Sequence, residues 1–303
     1  MPALICGSLA FDNIMTFEGR FADQILPEQL HILNVSFFVP TMRRDYGGCA
    51  GNIAYALKQL GGEPLTMAAI GHDGDEYLER LERLEISTRY VAKIADMHTA
   101  QCMIITDRDN NQINGFHPGA MSMAHQNVIT ADCGAQIAII SPDGRDAMLQ
   151  HAAQLAQAGI PFVFDPGQAL PMFNGEELLQ FIDQATWVTV NDYEGKMLCD
   201  RTGLSLEALS HKVQGLVVTL GAEGCEVWEQ GVRTLVPAVI PAAVVDPTGC
   251  GDAWRAALLY GLEQGWSLAR CAALGNQVGA IKVAHRGPQN YTLEQVRGSL
   301  QPA

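Results

Sequence analysis

The chain has no run approaching the roughly 18 continuous apolar residues of a membrane-spanning helix, so no membrane partner is expected. Basic residues are scarce: 19 Lys plus Arg stand against 33 Asp plus Glu, a formal charge of −14. Nucleic acid and anionic lipid both reward a basic surface, and neither is expected as a partner. A small anionic substrate is not excluded, since one site can be positive inside an acidic protein. The eight cysteines (Cys6, Cys49, Cys102, Cys133, Cys199, Cys225, Cys250, Cys271) contain no C-x-x-C pair. A disulfide framework belongs to small secreted chains and a zinc site to clustered ligands, so free thiols in a reducing cytoplasm are expected. The opening Met1-Pro2-Ala3-Leu4-Ile5-Cys6-Gly7 lacks the basic start of a signal peptide and reads straight into a strand. Two phosphate fingerprints are missing as well. There is no G-x-x-x-x-G-K-[ST], and Gly7 alone after the first strand makes no G-x-G-x-x-G, which argues against a dehydrogenase.

What is present is apolar material. Hydrophobic residues make up 48% and charged residues 17% of the 303, enough for a sizeable core and too much for whole-chain disorder. Short apolar runs alternate with helical patterns. Ala3–Cys6, Leu65–Ile70, Gln136–Ile140, Pro161–Asp165, Trp187–Asn191 and Leu216–Leu220 read as strands. Helices are expected over Ala50–Leu60, ending at Gly61-Gly62, and over Asp75–Leu84. This βα alternation implies a parallel sheet between helical layers. Two stretches break the rhythm. Phe11–Tyr46 mixes apolar and polar residues, while Thr99–Ile105 and Gln112–Phe116 read as a hairpin around Asp107-Arg108-Asp109-Asn110-Asn111. The expected organisation is a single domain, 1–303, with a small β-rich lid built from insertions at about 12–46 and 98–118.

The strongest chemical signal is Asp246-Pro247-Thr248-Gly249-Cys250-Gly251-Asp252, followed by a helix over Ala253–Leu262. A glycine-rich turn opening a helix presents unpaired N–H groups and the positive end of the helix dipole, a site for an anion such as phosphate. Asp252 stands at the start of that helix, where a carboxylate can accept a proton from an attacking hydroxyl. The pattern alone fits an ordinary capping aspartate equally well, and both readings stay open on it.

Asp246–Asp252 resembles the D-T-x-G-A-G-D signature of the ribokinase-like (PfkB) family of sugar and nucleoside kinases, with Pro247 and Cys250 in place of the usual Thr and Ala. Tyr46-Gly47-Gly48-Cys49-Ala50-Gly51-Asn52 is similar to the family's G-G-x-x-x-N signature. Gly7-Ser8 with Asp12 resembles its opening strand and sugar-binding Asp, and Asn191-Asp192-Tyr193-Glu194 its N-x-x-E motif. The resemblance spans essentially the whole chain. It implies an α/β fold, a three-layer sandwich with a mostly parallel central sheet and a small β-rich lid.

Transferred residue by residue, the resemblance makes Asp252 the catalytic base and Gly249, Cys250 and Gly251 the anion hole. Asp12, Gly47, Gly48 and Asn52 would hold substrate hydroxyls. Asn191 and Glu194 would stand near the metal–phosphate end of ATP, with Glu194 acting on magnesium through water. Thr219 and Gly221 would line the nucleotide, with Gly275-Asn276 and Gly279 bordering adenine. Asp246 and Thr248, with residues around Gly287, resemble a monovalent-cation loop of some members, which makes potassium a second expected cofactor beside magnesium with ATP.

Aromatic residues offer a platform for a base: Phe37-Phe38 or Phe116, each of which also fits an apolar core. His117 and His285 read as structural or surface residues. Arg43 and Arg44 read as surface residues that can also neutralise phosphate, and the charge-rich Asp73–Glu85 as a solvated helix face. The expected function is transfer of the ATP γ-phosphate to the 5′-hydroxyl of a nucleoside, adenosine or another purine nucleoside, in a cytoplasmic monomer or homodimer. A sugar kinase acting on ribose or fructose is the alternative within the family. A non-catalytic nucleotide sensor is the alternative outside it, although its mark, loss of the base, is absent.

Overall fold

The computed structural model describes residues 2–32, 34–109 and 111–300. From the N-terminus run β1 (Pro2–Cys6), β2 (Ala10–Thr16), β3 (Thr41–Gly47), α1 (Cys49–Leu60), β4 (Glu63–Gly71), α2 (Asp75–Arg83), β5 (Ser87–Ile94), β6 (Ala100–Thr106) and β7 (Gln112–His117). Then follow β8 (Ile137–Ile140), α3 (Arg145–Ala158), β9 (Phe162–Phe164), α4 (Gly175–Gln184), β10 (Trp187–Asn191), α5 (Asp192–Thr202), α6 (Leu206–Ser210) and β11 (Gly215–Thr219). The chain ends with β12 (Cys225–Glu229), β13 (Val232–Val236), α7 (Cys250–Glu263), α8 (Leu268–Val283) and α9 (Glu294–Leu300).

Nine strands form the large sheet, in the order β13-β12-β11-β10-β9-β8-β1-β4-β5. All its pairs are parallel except β11–β12 and β12–β13. Both faces are buried, which is why the strands read as continuous apolar runs. The period of two survives in the packing. Ile5, Ile139, Val163 and Val217 face one core with residues of α1, α7 and α8. Their neighbours Leu4, Ile140, Phe164 and Leu216 face the other, with residues of α3, α4, α5 and α6. The result is the expected three-layer α/β sandwich. Among the described residues no helix is long and apolar enough to cross a membrane, and the eight cysteines are unpaired.

A second sheet, β3-β2-β6-β7, draws its strands from two separated stretches. Its β2–β3 and β6–β7 pairs are antiparallel, and β2–β6 is parallel. The hairpin turn is organised by Asp107, whose Oδ1 accepts from the N–H groups of Asp109 and Asn111, both at 2.9 Å. Its Oδ2 accepts from the Phe21 N–H at 3.0 Å, tying the two insertions together. Asn110 of the expected turn lies outside the described residues.

Candidate active site

A cavity of about 940 Å³ opens at the carboxyl edge of the parallel strands. Ser8, Asp143, Asp165 and Asn191, at or just past the ends of β1, β8, β9 and β10, form its floor, the place where ligands bind in open α/β sheets. The small sheet forms the opposite wall through Asp12, Cys102, Ile104 and Phe116. Its volume is at the upper end of the range for small-molecule sites, roughly 300–1,000 Å³.

The N-terminus of α7 enters this cavity without a side-chain cap. Gly249 precedes it with φ +77°, and a Cβ there would stand 2.7 Å from Pro288 Cβ, so only glycine fits the turn. The N–H groups of Gly249, Gly251 and Asp252 have no protein partner among the described residues. Three unpaired donors at a helix N-terminus are the geometry that suits an anion.

Asp252 lies in the first turn of α7. Its Oδ2 accepts from Asn52 Nδ2 at 2.8 Å, and burial pushes its pKa up to about 6 against that hydrogen bond. The support runs further. Gln289 Nε2 donates to Asn52 Oδ1 at 3.1 Å and to the Tyr77 hydroxyl at 2.8 Å, and that hydroxyl donates to the Gly47 carbonyl at 2.6 Å. One buried chain of hydrogen bonds thus joins α7, α1, α2 and the Gly47-Gly48 turn. On the far side of that turn Asp12 approaches so closely that a Cβ on Gly47 would sit 2.4 Å from Asp12 Oδ2. Burial, followed by the charges of Asp45, Asp252 and Asp246, raises the Asp12 pKa to about 6.

The third feature is a buried ion pair. Arg255, one turn beyond Asp252, meets Asp165 with Nε and Nη2 at 2.8 and 2.9 Å from the two carboxylate oxygens, both side chains being almost fully buried. Arg255 Nη2 also stands 3.8 Å from Glu194 Oε2. Asn191 and Glu194 form a capping box at the start of α5. Asn191 Oδ1 accepts the Glu194 N–H at 2.7 Å, and Glu194 Oε2 accepts the Asn191 N–H at 2.8 Å. Burial and the nearby Asp165 raise the Glu194 pKa, with Arg255 opposing them. The cavity therefore holds one buried cation, several carboxyl groups and an uncapped helix end.

This set of parts has relatives. The sequence profile of the pfkB family carbohydrate kinases matches residues 20–295. The chain belongs to that family. A solved structure of Burkholderia thailandensis nucleoside kinase in complex with inosine is 49% identical, with a TM-score of 0.88 over 97% of this chain and 95% of that one. The same protein in complex with ADP-inosine is 50% identical, with a TM-score of 0.85 over 97% and 93%. A nucleoside kinase of Methanocaldococcus jannaschii is 28% identical over 292 residues, 95% of this chain and 93% of its relative. As a pfkB-family kinase the chain is a phosphotransferase with an alcohol group as acceptor.

Of the residues expected from sequence, the pfkB cavity brings together Asp12, Gly48, Asn52, Phe116, Asn191 and Glu194. Thr219, Gly221, Thr248, Gly249, Gly251 and Asp252 line it too. Asp12 sits inside β2 and reaches the cavity from the small sheet. Gly47 and Cys250 support the turns from behind and do not line the cavity. Asn276 and Gly279 also stay out of it. Asn276 accepts from Trp254 Nε1 at 3.0 Å and donates to the Pro237 carbonyl at 2.8 Å, bracing α7 against α8 and the end of β13. The carboxylate of Asp246 faces away from the cavity, with its oxygens taken by the N–H groups of Thr248 and Gly287 at 2.9 and 2.8 Å. Phe37 packs against Phe17 and Phe21, ring centroids 5.1 and 4.8 Å apart, and Phe38 is 85% exposed, so neither is a cavity aromatic. Arg44 lies over the Phe11 ring and pairs with Glu76, and Arg43 pairs with Asp45. The residues that sequence reasoning passed over are Asp165, Arg255, Gln289 and Tyr77. Only Arg255 carried a local signal, its place three residues after Asp252 on one helix face. Tyr77, fully buried, shows that the charge-rich α2 does more than present a solvated face.

Proposed function

We propose that the chain transfers the γ-phosphate of ATP to the 5′-hydroxyl of a purine nucleoside, adenosine or a relative of it. The carrying observation is Asp252, a half-buried carboxyl group with a pKa of about 6 beside unpaired backbone donors. In its ionised form Asp252 accepts the proton of the acceptor hydroxyl while that oxygen bonds to the γ-phosphorus and the bond to ADP breaks. The N–H groups of Gly249, Gly251 and Asp252 hold the charge of the transferring phosphoryl group. Asp12 and Asn52 present acceptors and a donor to the ribose hydroxyls, the carboxylate and amide being complementary to a diol. Fixed donors and acceptors around the acceptor and phosphate let positioning do most of the work.

Magnesium fits the end marked by Glu194. Its Oε2 is spent on the cap, while Oε1 has no protein partner among the described residues, and exposed Asp192 adjoins it on the cavity wall. Bound there through water, magnesium would neutralise phosphate charge.

The nucleoside reading rests on the small sheet and on similarity. Phe116, 49% exposed on the cavity wall, stands with Ile104, Cys102, Met121 and Met172 as an apolar surface that a free sugar would leave unused. The 49% identical Burkholderia protein was solved with inosine. Stacking of a base on an aromatic ring contributes about 1–3 kcal/mol, so a purine nucleoside is expected to exceed a free sugar by roughly 5- to 150-fold. The test is kcat/KM for adenosine, inosine, cytidine, ribose and fructose with ATP and magnesium, read by product mass. A free sugar preferred over every nucleoside would overturn the acceptor assignment and leave the kinase intact.

A further inference from the structure

Beneath the anion turn lies a charge that the reaction just described does not use. Lys282, in the last turn of α8, has no exposed surface. Its Nζ donates to the carbonyl of Asp246 at 2.7 Å and to the carbonyl of His285 at 3.1 Å. Among the described residues no carboxylate oxygen lies within salt-bridge distance of it; the Asp246 carboxylate is occupied by Thr248 and Gly287. Backbone carbonyls of two irregular segments therefore hold the ammonium, in the manner of an oxygen cage around an ion. A buried ammonium is costly unless its protons are bonded, so a lysine kept here fixes the two segments to each other.

Those segments frame the anion turn. Val245 and Asp246 both donate their N–H to the Val283 carbonyl, at 2.8 and 3.1 Å, and Cys250 N–H donates to the Pro247 carbonyl at 3.1 Å. Pro288, the residue after the Gly287 whose N–H donates to Asp246 Oδ2 at 2.8 Å, is the wall against Gly249. Burial lowers the Lys282 pKa, while Cys250 and Asp246 push it back up; Arg43 and Asp45 are the other charged groups that bear on it.

We propose that the ammonium of Lys282 stands in place of a bound monovalent cation under the anion turn, as a positioning residue that makes turnover independent of potassium. The proposal rests on the kinase reading above. It replaces the potassium expected from the sequence by a cation that the chain supplies itself.

The experiment measures phosphorylation of inosine by ATP and magnesium in potassium, sodium or tetramethylammonium chloride at matched ionic strength. The wild-type rates are expected to agree within about twofold, since ionic strength alone then differs little between the arms. Lys282→Ala opens a cage lined by the Asp246 and His285 carbonyls. Its kcat in tetramethylammonium is expected to fall by roughly 10- to 100-fold as the phosphate donors lose their preorganisation, with the KM for inosine changed little. Potassium or methylammonium should restore a large part of that loss. Lys282→Met, which fills the space without charge, should lose a similar amount and respond to neither ion. Wild-type turnover that requires potassium overturns the proposal, as does a folded Lys282→Ala protein with full kcat in tetramethylammonium. If neither variant folds, the salt response of the wild type decides alone: indifference supports the internal cation and potassium activation refutes it. Absence of phosphorylated product from every nucleoside and sugar, in all three salts, sinks the kinase reading and this proposal with it.

Discussion

Two helices begin at the same cavity and begin in opposite ways. The first turn of α5 is closed on itself by Asn191 and Glu194, each side chain accepting the other's N–H. The first turn of α7 has no cap, and a glycine with φ +77° stands where Asn191 stands in α5. A side-chain cap contributes about 0.5–2 kcal/mol, so α7 forgoes a stabilisation that α5 takes. It can do so because packing holds it: Ala253, Ala256, Ala257, Leu258 and Leu259 are almost wholly buried. Donors not spent on folding remain available for a phosphate. The comparison separates two motifs that look alike in sequence, since both place an acidic residue in the first turn of a helix.

The largest effect is expected where the uncapped end meets its carboxylate. Asp252→Asn keeps the hydrogen-bonding shape and removes the base, so kcat should fall by roughly 10²–10⁴-fold. Acceptor KM should move little. The same residue should set the acid limb of the pH profile. Its pKa of about 6 means that the proton-accepting form is lost as pH falls through 6, so the rate should drop below that pH. The residual activity of Asp252→Asn should lack this limb. Near-normal turnover in a folded Asp252→Asn protein would remove Asp252 from the chemistry.

Next in size is damage to the turn itself. Gly249→Ala forces a side chain into a left-handed position against Pro288 and displaces the donors that follow. Loss of one such donor typically costs about 10²–10³-fold in kcat, and a displaced turn should lose about 10²-fold. The measurement is kcat beside the circular dichroism of the same sample. An unchanged rate in folded Gly249→Ala would mean that the open N-terminus is not the phosphate site.

How much of this was legible in the sequence follows from distance along the chain. The Gly249–Asp252 turn is local, and so was readable from spacing alone, as were the apolar strands and α1. Asn191 and Glu194 were read as phosphate neighbours, yet the same N-x-x-E spacing is a capping box, and its local chemistry was available to see. Asp165 and Arg255 are separated by 90 residues, and Gln289 and Asn52 by 237, so their pairing exists only once the sheet order is fixed. Asp12 was placed by its nearness to β1, while pairing with Asp45 of β3 puts it in the small sheet. Asn276 was assigned to adenine by resemblance, whereas its amide is consumed by Trp254 and Pro237. Tertiary satisfaction of a polar side chain is the recurring fact that spacing does not carry.

A smaller effect should separate charge from capping at α5. Glu194→Gln retains an oxygen for the Asn191 N–H, because glutamine also serves in a capping box. It removes the negative charge offered to magnesium. The magnesium concentration at half-maximal rate should rise several-fold, the inosine KM should stay, and thermal stability should hardly move. An unchanged magnesium titration would leave Glu194 as a cap alone.

The smallest effect is the cap itself, and the chain contains its own control. Asn174 and Glu177 form a second capping box at the start of α4, with Asn174 Oδ1 accepting the Glu177 N–H at 3.0 Å and Glu177 Oε2 accepting the Asn174 N–H at 3.0 Å. Neither residue lines the cavity. Asn191→Ala and Asn174→Ala each delete one acceptor of a helix's orphan donors, so each should lower stability by about 1 kcal/mol. In a protein of this size that is a fall in Tm of about 1–3 °C, read by calorimetry. The two should part company in kinetics. Asn191→Ala removes one of the two bonds that close the first turn of α5 and so loosens the turn that holds Glu194 near Arg255, and the magnesium half-saturation should change. Asn174→Ala should leave kcat, KM and magnesium response as they were. If both variants lose equal stability and neither alters the magnesium response, α5 meets the cavity only as a capped helix, and the metal end of the site must be carried by other carboxylates along its wall.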